Sequence, residues 1–180
     1  QIFFYQIERW RALIARYIEN TLSERDASLY KALIIGDRSS IAPEVTEILK
    51  RAGIMHLWAI SGLHLGLLSI ISFLIIYWLL RRSERLILSC NVKKASLALT
   101  LPLLLFYALL AGFQPPAARA FIMTSFMVGA LSWDRFHSTI VTLSGAALFI
   151  LLLDPMVIES PSFQLSFAAV AAIILGAPKL

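Results

Sequence analysis

The amino-acid sequence predicts an all-α protein, a polytopic transmembrane helical bundle with an N-terminal amphipathic helical region. Of its 180 residues, 59% are hydrophobic and 15% are charged, whereas charged residues make up about 25% of an average soluble domain. The uncharged stretches are also too long and too numerous to be the strands or core helices of a soluble fold. Because the composition changes near residue 57, we predict an interfacial region at 1–56 and membrane helices at 57–180. We expect the chain to be a segment of a larger protein, with its membrane region incomplete at the C-terminus.

The interfacial region is predicted to contain three helices. In "QIERWRALIARYIENTL" (6–22), apolar residues recur at helical spacing opposite a charged face, namely Ile7, Trp10, Ile14, Tyr17 and Ile18. The "SERD" that follows has the spacing of a capping box and begins a second helix, which runs through Ile35 and ends at Gly36. "PEVTEILKRAG" predicts a third helix, with Pro43 in its first turn and Gly53 as its stop. Eight basic and seven acidic residues nearly cancel here, so we expect these helices to pack on the bundle or the headgroups, or to form a gate at the membrane surface.

Apolar runs predict the membrane helices. Leu57–Leu80 has 24 residues, about 36 Å as a helix, which exceeds a hydrocarbon core of roughly 30 Å. Ala95–Phe113 predicts a second span, interrupted by Pro102. The later runs are shorter: they are Ala120–Trp133, Thr139–Leu153 and Phe163–Ala177. Either flanking residues complete these spans, or the helices are broken or re-entrant and line a polar cavity.

The charges of the connecting segments predict the orientation. The segment 81–94 carries five basic residues against one acid, Glu84, and basic loops remain on the cytoplasmic side of the membrane. We therefore predict that 81–94 is cytoplasmic, which places the interfacial region, the Pro115-Pro116 turn and "DPMVIESPS" on the outer side. A nucleic-acid contact is the alternative explanation of the basic segment.

Polar residues in "HLWAISGLHLGLLSI" (56–70) raise the question of catalysis. On a continuous helix Ser61 and His64 would share a face and could hydrogen-bond, which suggests an intramembrane serine protease, but no acid accompanies them nearby. His56 and His64 are eight residues apart and cannot share a metal ion unless the chain breaks at Ser61-Gly62. The single cysteine, Cys90, offers no thiol pair. We therefore predict no catalytic residue, no metal site and no cofactor, and close helix packing is the simpler role of the small residues.

Four blocks, in order along the chain, resemble those of the ComEC family of competence proteins. They are "ALIIGDRSSI" (32–41), "AGIMHLWAISGLHLGLL" (52–68), "LLAGFQPPAARAFIM" (109–123) and "LLLDPMVIESPSFQLSFAAV" (151–170). The family has Leu, Ser and Gly where this chain has Trp58, Pro116 and Ser162. None of these departures removes a charged or histidine position.

The resemblance implies a channel in the inner (cytoplasmic) membrane through which single-stranded DNA enters the cell during natural transformation. The partners it implies are single-stranded DNA, the lipid bilayer, other competence-machinery proteins and a possible homo-oligomer. It also implies that any nuclease domain lies outside this chain, which is then not an enzyme. A secondary transporter for a small solute remains an alternative, as do an intramembrane protease and a membrane scaffold.

A polyanion needs hydrated polar groups and positive potential to cross a bilayer. The candidate channel and motif residues are therefore His56, Ser61, Gly62, His64, Arg119, Gln164 and Ser166. Arg119 is expected either to face the path of the DNA or to snorkel to the outer headgroups, because the 14-residue run that follows it is too short to span.

Overall fold

The computed structural model describes residues 2–52, 62–132 and 138–176, and these residues are helical with no strand. The all-α prediction is therefore confirmed. The helices are α1 (Ile2–Thr21), α2 (Glu24–Ile34), α3 (Pro43–Arg51), α4 (Gly62–Leu80), α5 (Glu84–Ser89), α6 (Val92–Leu110), α7 (Pro115–Ser132), α8 (Thr139–Leu153) and α9 (Pro161–Gly176), with a 3₁₀ helix at Pro155–Glu159.

The predicted apolar face of α1 is only partly used for packing. Ile7 and Ile18 are buried, whereas Trp10 and Tyr17 are 54% and 73% exposed. The helix packs against α2 and α6, and the stripe of residues that these two neighbours cover is narrower than the apolar stripe of the sequence. The periodicity therefore predicted the helix correctly, and the described protein contacts cover only part of its apolar face.

The predicted start of α2 is confirmed, with Ser23 as its N-cap. The backbone N–H of Asp26 donates to the Ser23 hydroxyl at 3.3 Å, and that hydroxyl donates to the Asp26 carboxylate at 2.7 Å. The helix ends one residue earlier than predicted, and Gly36 follows with a φ of +73°, a conformation in which a side chain is strained. Helix α3 begins at Pro43 as predicted, and its predicted stop at Gly53 lies outside the described residues.

Helices α4 and α6 have 19 residues each and are the two described helices that are long and apolar enough to cross a membrane. They pack against each other, and Leu65 near the start of α4 shares a core cluster with Ala108 near the end of α6. The two helices are therefore antiparallel. Pro102 does not interrupt α6.

The connection between α4 and α6 differs from the prediction of a simple loop at 81–94. It contains α5, and α6 already begins at Val92, because Asn91 caps it by accepting from the backbone N–H of Lys94 at 3.2 Å. The first residues of the predicted span at 57–80 lie outside the described part of the chain.

Helix α7 begins five residues before the apolar run that predicted it. Pro115 and Pro116 form its first turn, where the missing proline N–H groups would have no helical partner in any case. The two prolines therefore begin a helix, and Arg119 lies inside its second turn. Helix α8 has its predicted bounds, and α9 begins at Pro161.

The core lies where α4, α6 and α7 meet. Its fully buried members are small or of medium size, namely Leu65, Ala108, Ala111 and Ala117, and the partly buried Tyr107, Ala120 and Phe121 pack against them. Alanines let the helix backbones approach closely, which is how packing stabilises helix pairs in a lipid environment. This cluster holds the start of α7 in place.

Candidate functional site

The turn between α6 and α7 has an unusual backbone. Gly112 and Phe113 have φ of +75° and +47°, and the N–H of Phe113 donates to the carbonyl of Ala108 at 2.8 Å. A helix commonly ends with such a left-handed residue and such a bond, usually at glycine. The turn reverses the chain and places Gln114 directly before α7.

Gln114 joins this turn to the N-terminal helices. Its side-chain Nε2 donates to the carbonyl oxygen of Gly36 at 2.8 Å, across 78 positions of the sequence. Gly36 is buried and Gln114 is half-buried. The bond therefore connects the first sequence block, at 32–41, to the third block, at 109–123.

Arg11 of α1 reaches the same junction. Its Nη2 donates to the carbonyl oxygen of Ile35 at 3.4 Å, and its Nη1 pairs with Glu8 at 2.8 Å. A Cβ atom added to Gly112 would lie 3.1 Å from the Arg11 Nη2, a tight contact. The guanidinium thus lies between the end of α2 and the turn at Gly112. It fits there because Gly112 has no side chain.

Asp37 gives the junction a fixed negative charge. Its carboxylate accepts from the hydroxyl and the backbone N–H of Ser39, at 2.7 and 3.0 Å. These two bonds lower the pKa of the Asp37 carboxyl below its ordinary value of 3.8, and Lys31 and Arg11 lower it further while burial opposes them. Lys31 is itself buried and pairs with Glu19 at 2.7 Å.

The start of α4 lies against α7. A Cβ atom at Gly62 would be 3.6 Å from the Cβ of Ala120, an ordinary contact distance, so the two helices approach closely at this point. Leu65 is fully buried, while His64 is half-buried. At Gly66 an added Cβ would meet nothing within 4 Å among the described residues. Of these two glycines, the close-packing role therefore fits Gly62.

Arg119 links α7 to α9. Its residue surface is only 6% exposed, and its Nη2 donates to the Ser162 hydroxyl at 2.6 Å. The Nε atom is buried without a hydrogen-bond partner, and no carboxylate pairs with Arg119 in the described ranges. The side chain therefore lies between α7 and α9 and not on the exposed surface of the described residues.

The other predicted site residues lie apart from Arg119 or are not described. The amide of Gln164 donates to the carbonyl of Ile158 at 2.9 Å, and the hydroxyl of Ser166 donates to the carbonyl of Ser162 at 2.7 Å, so each bonds within its own segment. His56 and Ser61 lie outside the described residues. The geometry of a Ser61–His64 pair, on which the protease alternative depends, therefore lies outside them too.

The four sequence blocks meet at Gln114 and the first two turns of α7. Gln114 contacts the first block at Gly36, Ala120 approaches the second at Gly62, and Arg119 contacts the fourth at Ser162. The described residues include no group of histidine, cysteine, aspartate or glutamate side chains that could hold a metal ion. The chemistry available at this point is therefore that of a buried cation with an incomplete set of hydrogen bonds.

Sequence reasoning did not single out Arg11 and Gln114. Arg11 belongs to the charged face of the helix predicted at 6–22, and Gln114 lies within the third sequence block, where no role was assigned to it. The signal for Gln114 was its position, a polar residue directly before two prolines, where a side chain can bond outside its own helix. Arg11 carried no local signal, because its contact depends on the tertiary fold.

Comparison with known proteins places these features in a family. A family model described as "Competence: Competence protein" matches residues 33–180. The chain is 34% identical to ComE operon protein 3 of Bacillus subtilis over 97% of its length, and 31% identical to Competence protein ComA of Neisseria gonorrhoeae over 92%. It is 32% identical to Recombination protein 2 of Haemophilus influenzae over 80%.

The chain is much shorter than these relatives. It spans 21%, 24% and 18% of their respective lengths. No solved structure matches the chain.

Proposed function

The chain belongs to the competence protein family, and on that premise we propose that it forms part of a channel that passes single-stranded DNA through the cytoplasmic membrane during natural transformation. The observation that carries this proposal is the position of Arg119. It is a buried cation without a carboxylate partner in the described ranges, placed where the four sequence blocks converge.

The electrostatics of Arg119 support a transient anionic partner. A buried charge with no counter-ion is costly, and such residues within membrane proteins usually face a pathway or pair with another group. One neutral hydroxyl, that of Ser162, supplies a weaker bond than an anion would. A DNA phosphate passing between α7 and α9 would replace that hydroxyl and meet the planar donor fork of the guanidinium.

The contact between Arg119 and Ser162 also suggests how the path stays closed at rest. The hydrogen bond from Arg119 to Ser162 joins the start of α9 to α7 and, because its donor is charged, contributes about 1.5–3 kcal/mol. A phosphate that replaced this hydroxyl would bring a negative charge to the buried guanidinium and so supply the counter-ion that it lacks among the described residues. In this mechanism Arg119 bonds to Ser162 and keeps the path closed when DNA is absent, and it binds a phosphate when DNA is present.

We also propose a location and partners for the protein. The protein is a multi-pass protein of the inner membrane, with residues 81–94 on the cytoplasmic face. Its partners are the bilayer, the transported strand and other proteins of the uptake machinery, and a second copy of the chain is a further candidate. We assign the chain a role in passage and no catalytic step.

The test uses the full-length protein in a naturally transformable host that lacks its own copy. Arg119→Gln, Arg119→Lys and Ser162→Ala are compared with wild type for entry of labelled DNA into the cytoplasm, at equal protein abundance in the membrane fraction. We expect Arg119→Gln to abolish entry, Arg119→Lys to retain part of it, and Ser162→Ala to retain most of it. Arg85→Gln, an exposed charge change in α5, is the matched control.

The Ser162→Ala variant separates the two roles of Arg119. If Arg119 is only a structural link to α9, loss of the Ser162 hydroxyl should reproduce the defect of Arg119→Gln. Equal DNA entry by wild type and Arg119→Gln would exclude Arg119 from the path. Depleted protein in both Arg119 variants would instead assign it to folding.

A further inference from the structure

The end of α4 carries two arginines that rest on aromatic rings. The Cζ of Arg82 lies 4.1 Å from the centroid of the Trp78 ring, and the Cζ of Arg81 lies 5.2 Å from that of Tyr77. The ring of Phe73 stacks on Tyr77 at 5.6 Å with an interplanar angle of 12°. Because a cation over an aromatic face is held in place, these two exposed guanidinium groups are positioned more firmly than ordinary surface arginines.

Both arginines lack a counter-ion in the described part of the chain. The ion pairs there join Arg11 to Glu8, Lys31 to Glu19 and Arg51 to Glu47, and none involves Arg81 or Arg82. The negative end of the α4 dipole favours cations at this position but satisfies few of their donors. Each guanidinium therefore keeps hydrogen-bond donors for an external anion.

The two arginines form one end of an open groove. The groove has a volume of about 730 Å³ and is lined by Leu74, Ile75, Tyr77, Trp78, Arg81 and Arg82, which we call the α4 groove. Leu74, Ile75 and Trp78 are each more than half exposed. From Leu74 to Arg82 the groove runs about 12 Å along the helix axis, so it is cationic at one end and apolar at the other.

We propose that the α4 groove binds an anionic phospholipid, with the headgroup phosphate on Arg81 and Arg82 and the upper acyl chain along Leu74 and Ile75. Arginine matches a phosphate through paired N–H donors. The lining contains no carboxylate, and the segment 81–94 has five basic residues against one acid, so the site favours a headgroup of net negative charge over a zwitterionic one.

The same features argue against a nucleic acid as the occupant. Bases bind to single-strand sites by stacking on free aromatic faces, but Arg82 already covers one face of Trp78, and Phe73 stacks on Tyr77. Leu74 and Ile75 belong to a candidate membrane span, where acyl chains and not DNA would contact them. The α4 groove is separate from the proposed path at Arg119, which lies on α7.

The test measures lipid binding to the purified full-length protein after its native lipids are removed in detergent. Phosphatidylglycerol and phosphatidylcholine of identical chains are titrated separately, and retained lipid is counted by native mass spectrometry. We expect wild type to prefer phosphatidylglycerol. Arg81→Gln/Arg82→Gln should weaken phosphatidylglycerol binding about tenfold or more, since it removes two charge-assisted contacts, with phosphatidylcholine unaffected.

The matched control carries the same charge change outside the groove. Arg85→Gln/Lys93→Gln should change phosphatidylglycerol binding less than about twofold, because neither residue lines the groove. Equal losses in both double variants would overturn the proposal in favour of general surface charge, and no loss in either would overturn it outright. If Arg81→Gln/Arg82→Gln does not fold, Arg81→Lys/Arg82→Lys keeps both charges and should still lose several-fold in affinity.

Two competitors identify the source of the phosphate. Inorganic phosphate should not displace phosphatidylglycerol at comparable concentration, because it lacks the acyl chain that contacts Leu74. A short single-stranded oligonucleotide should not displace it either. Displacement by either competitor that depends on Arg81 and Arg82 would replace the lipid site with a free-phosphate or nucleic-acid site.

Discussion

The side chain of Gln114 donates to the carbonyl oxygen of Gly36 at 2.8 Å, joining residues 78 positions apart. The donor lies directly before α7 and five residues before Arg119, and the acceptor lies two residues after the end of α2. Because Gly36 is buried, its carbonyl has little access to water as a substitute partner. The bond therefore couples the N-terminal helices to α7, the helix that carries Arg119.

Loss of this bond should destabilise the protein measurably. Gln114→Leu keeps a similar side-chain volume but leaves the Gly36 carbonyl without its donor, at an expected cost of about 1–3 kcal/mol. The measurement is thermal unfolding of the full-length protein in detergent, followed by tryptophan fluorescence. Gln164→Leu is the matched control, because Gln164 also donates to a carbonyl, at 2.9 Å, but only within its own exposed segment. A midpoint lowered as much by Gln164→Leu as by Gln114→Leu would contradict the coupling role.

Asp37 should make stability depend on pH in the acid range. Its carboxyl has a pKa below the ordinary value of 3.8 in the folded protein, so the folded state holds the proton more weakly than the unfolded state. The contribution of the Asp37 charge to stability is therefore present at pH values above 3.8 and is lost as the pH falls through the lowered pKa of the folded protein. The stability difference between wild type and Asp37→Asn should be largest near about pH 6 and should shrink near about pH 3.

The Ser39 hydroxyl supplies the control for this effect. It is the largest cause of the lowered pKa of Asp37, so Ser39→Ala should bring that pKa closer to 3.8 and reduce the acid-dependent part of the difference. Denaturant unfolding of the three proteins at both pH values provides the measurement. A difference between wild type and Asp37→Asn that is the same at both pH values would show that the charge of Asp37 does not stabilise the fold.

Local structure was largely readable from the sequence, because its causes are local. Some features depend only on residues a few positions apart, namely the N-cap at Ser23, the end of α2 before Gly36 and the bounds of α8. The start of α7 was placed too late, since Pro115 and Pro116 were interpreted as a turn before the helix, whereas proline is favourable in the first turn of a helix. That error matters for the site, because it placed Arg119 before the helix and not inside it.

The convergence of the four blocks was not readable from one sequence. The partners of Gln114 and Arg119 lie 78 and 43 positions away, and neither Gly36 nor Ser162 carries a local feature that identifies its partner. Snorkelling or burial of Arg119 depends on which helix covers it, and α9 does so. The exposure of Trp10 and Tyr17 was not readable from the sequence either, because an apolar stripe does not reveal how much of it the neighbouring helices cover.

The contact between Gly62 and Ala120 should make α4 sensitive to bulk at one glycine only. An added Cβ at Gly62 would be at ordinary contact distance, so Gly62→Ala should be tolerated, whereas Gly62→Leu should overpack the α4–α7 contact by about 1–3 kcal/mol. Gly66→Leu, one turn along the same helix, has open space among the described residues and should cost less. Thermal unfolding and DNA entry of the full-length protein test this. Unchanged membrane insertion and DNA entry in Gly62→Leu would refute the packing role.

The orientation prediction can now be tested at both ends of the α4–α6 pair. The core contact of Leu65 with Ala108 shows that α4 and α6 are antiparallel, so α5 lies at one end of this helix pair. The bond from Gln114 to Gly36 holds the N-terminal helices at the other end of the pair. A cysteine at Ser83, in a background without the exposed Cys90, should resist membrane-impermeant thiol reagents in intact cells and react after permeabilisation.

A second cysteine makes that result informative in either direction. Tyr17 on α1 is 73% exposed and lies in the region predicted to face outward, so Tyr17→Cys in the same background should be labelled in intact cells. Five basic residues against one acid in 81–94 are the physical reason to expect this orientation. The reverse pattern, with Ser83→Cys labelled and Tyr17→Cys protected, would invert the topology. Labelling of both from outside would mean that α4 and α6 do not span the membrane as a pair.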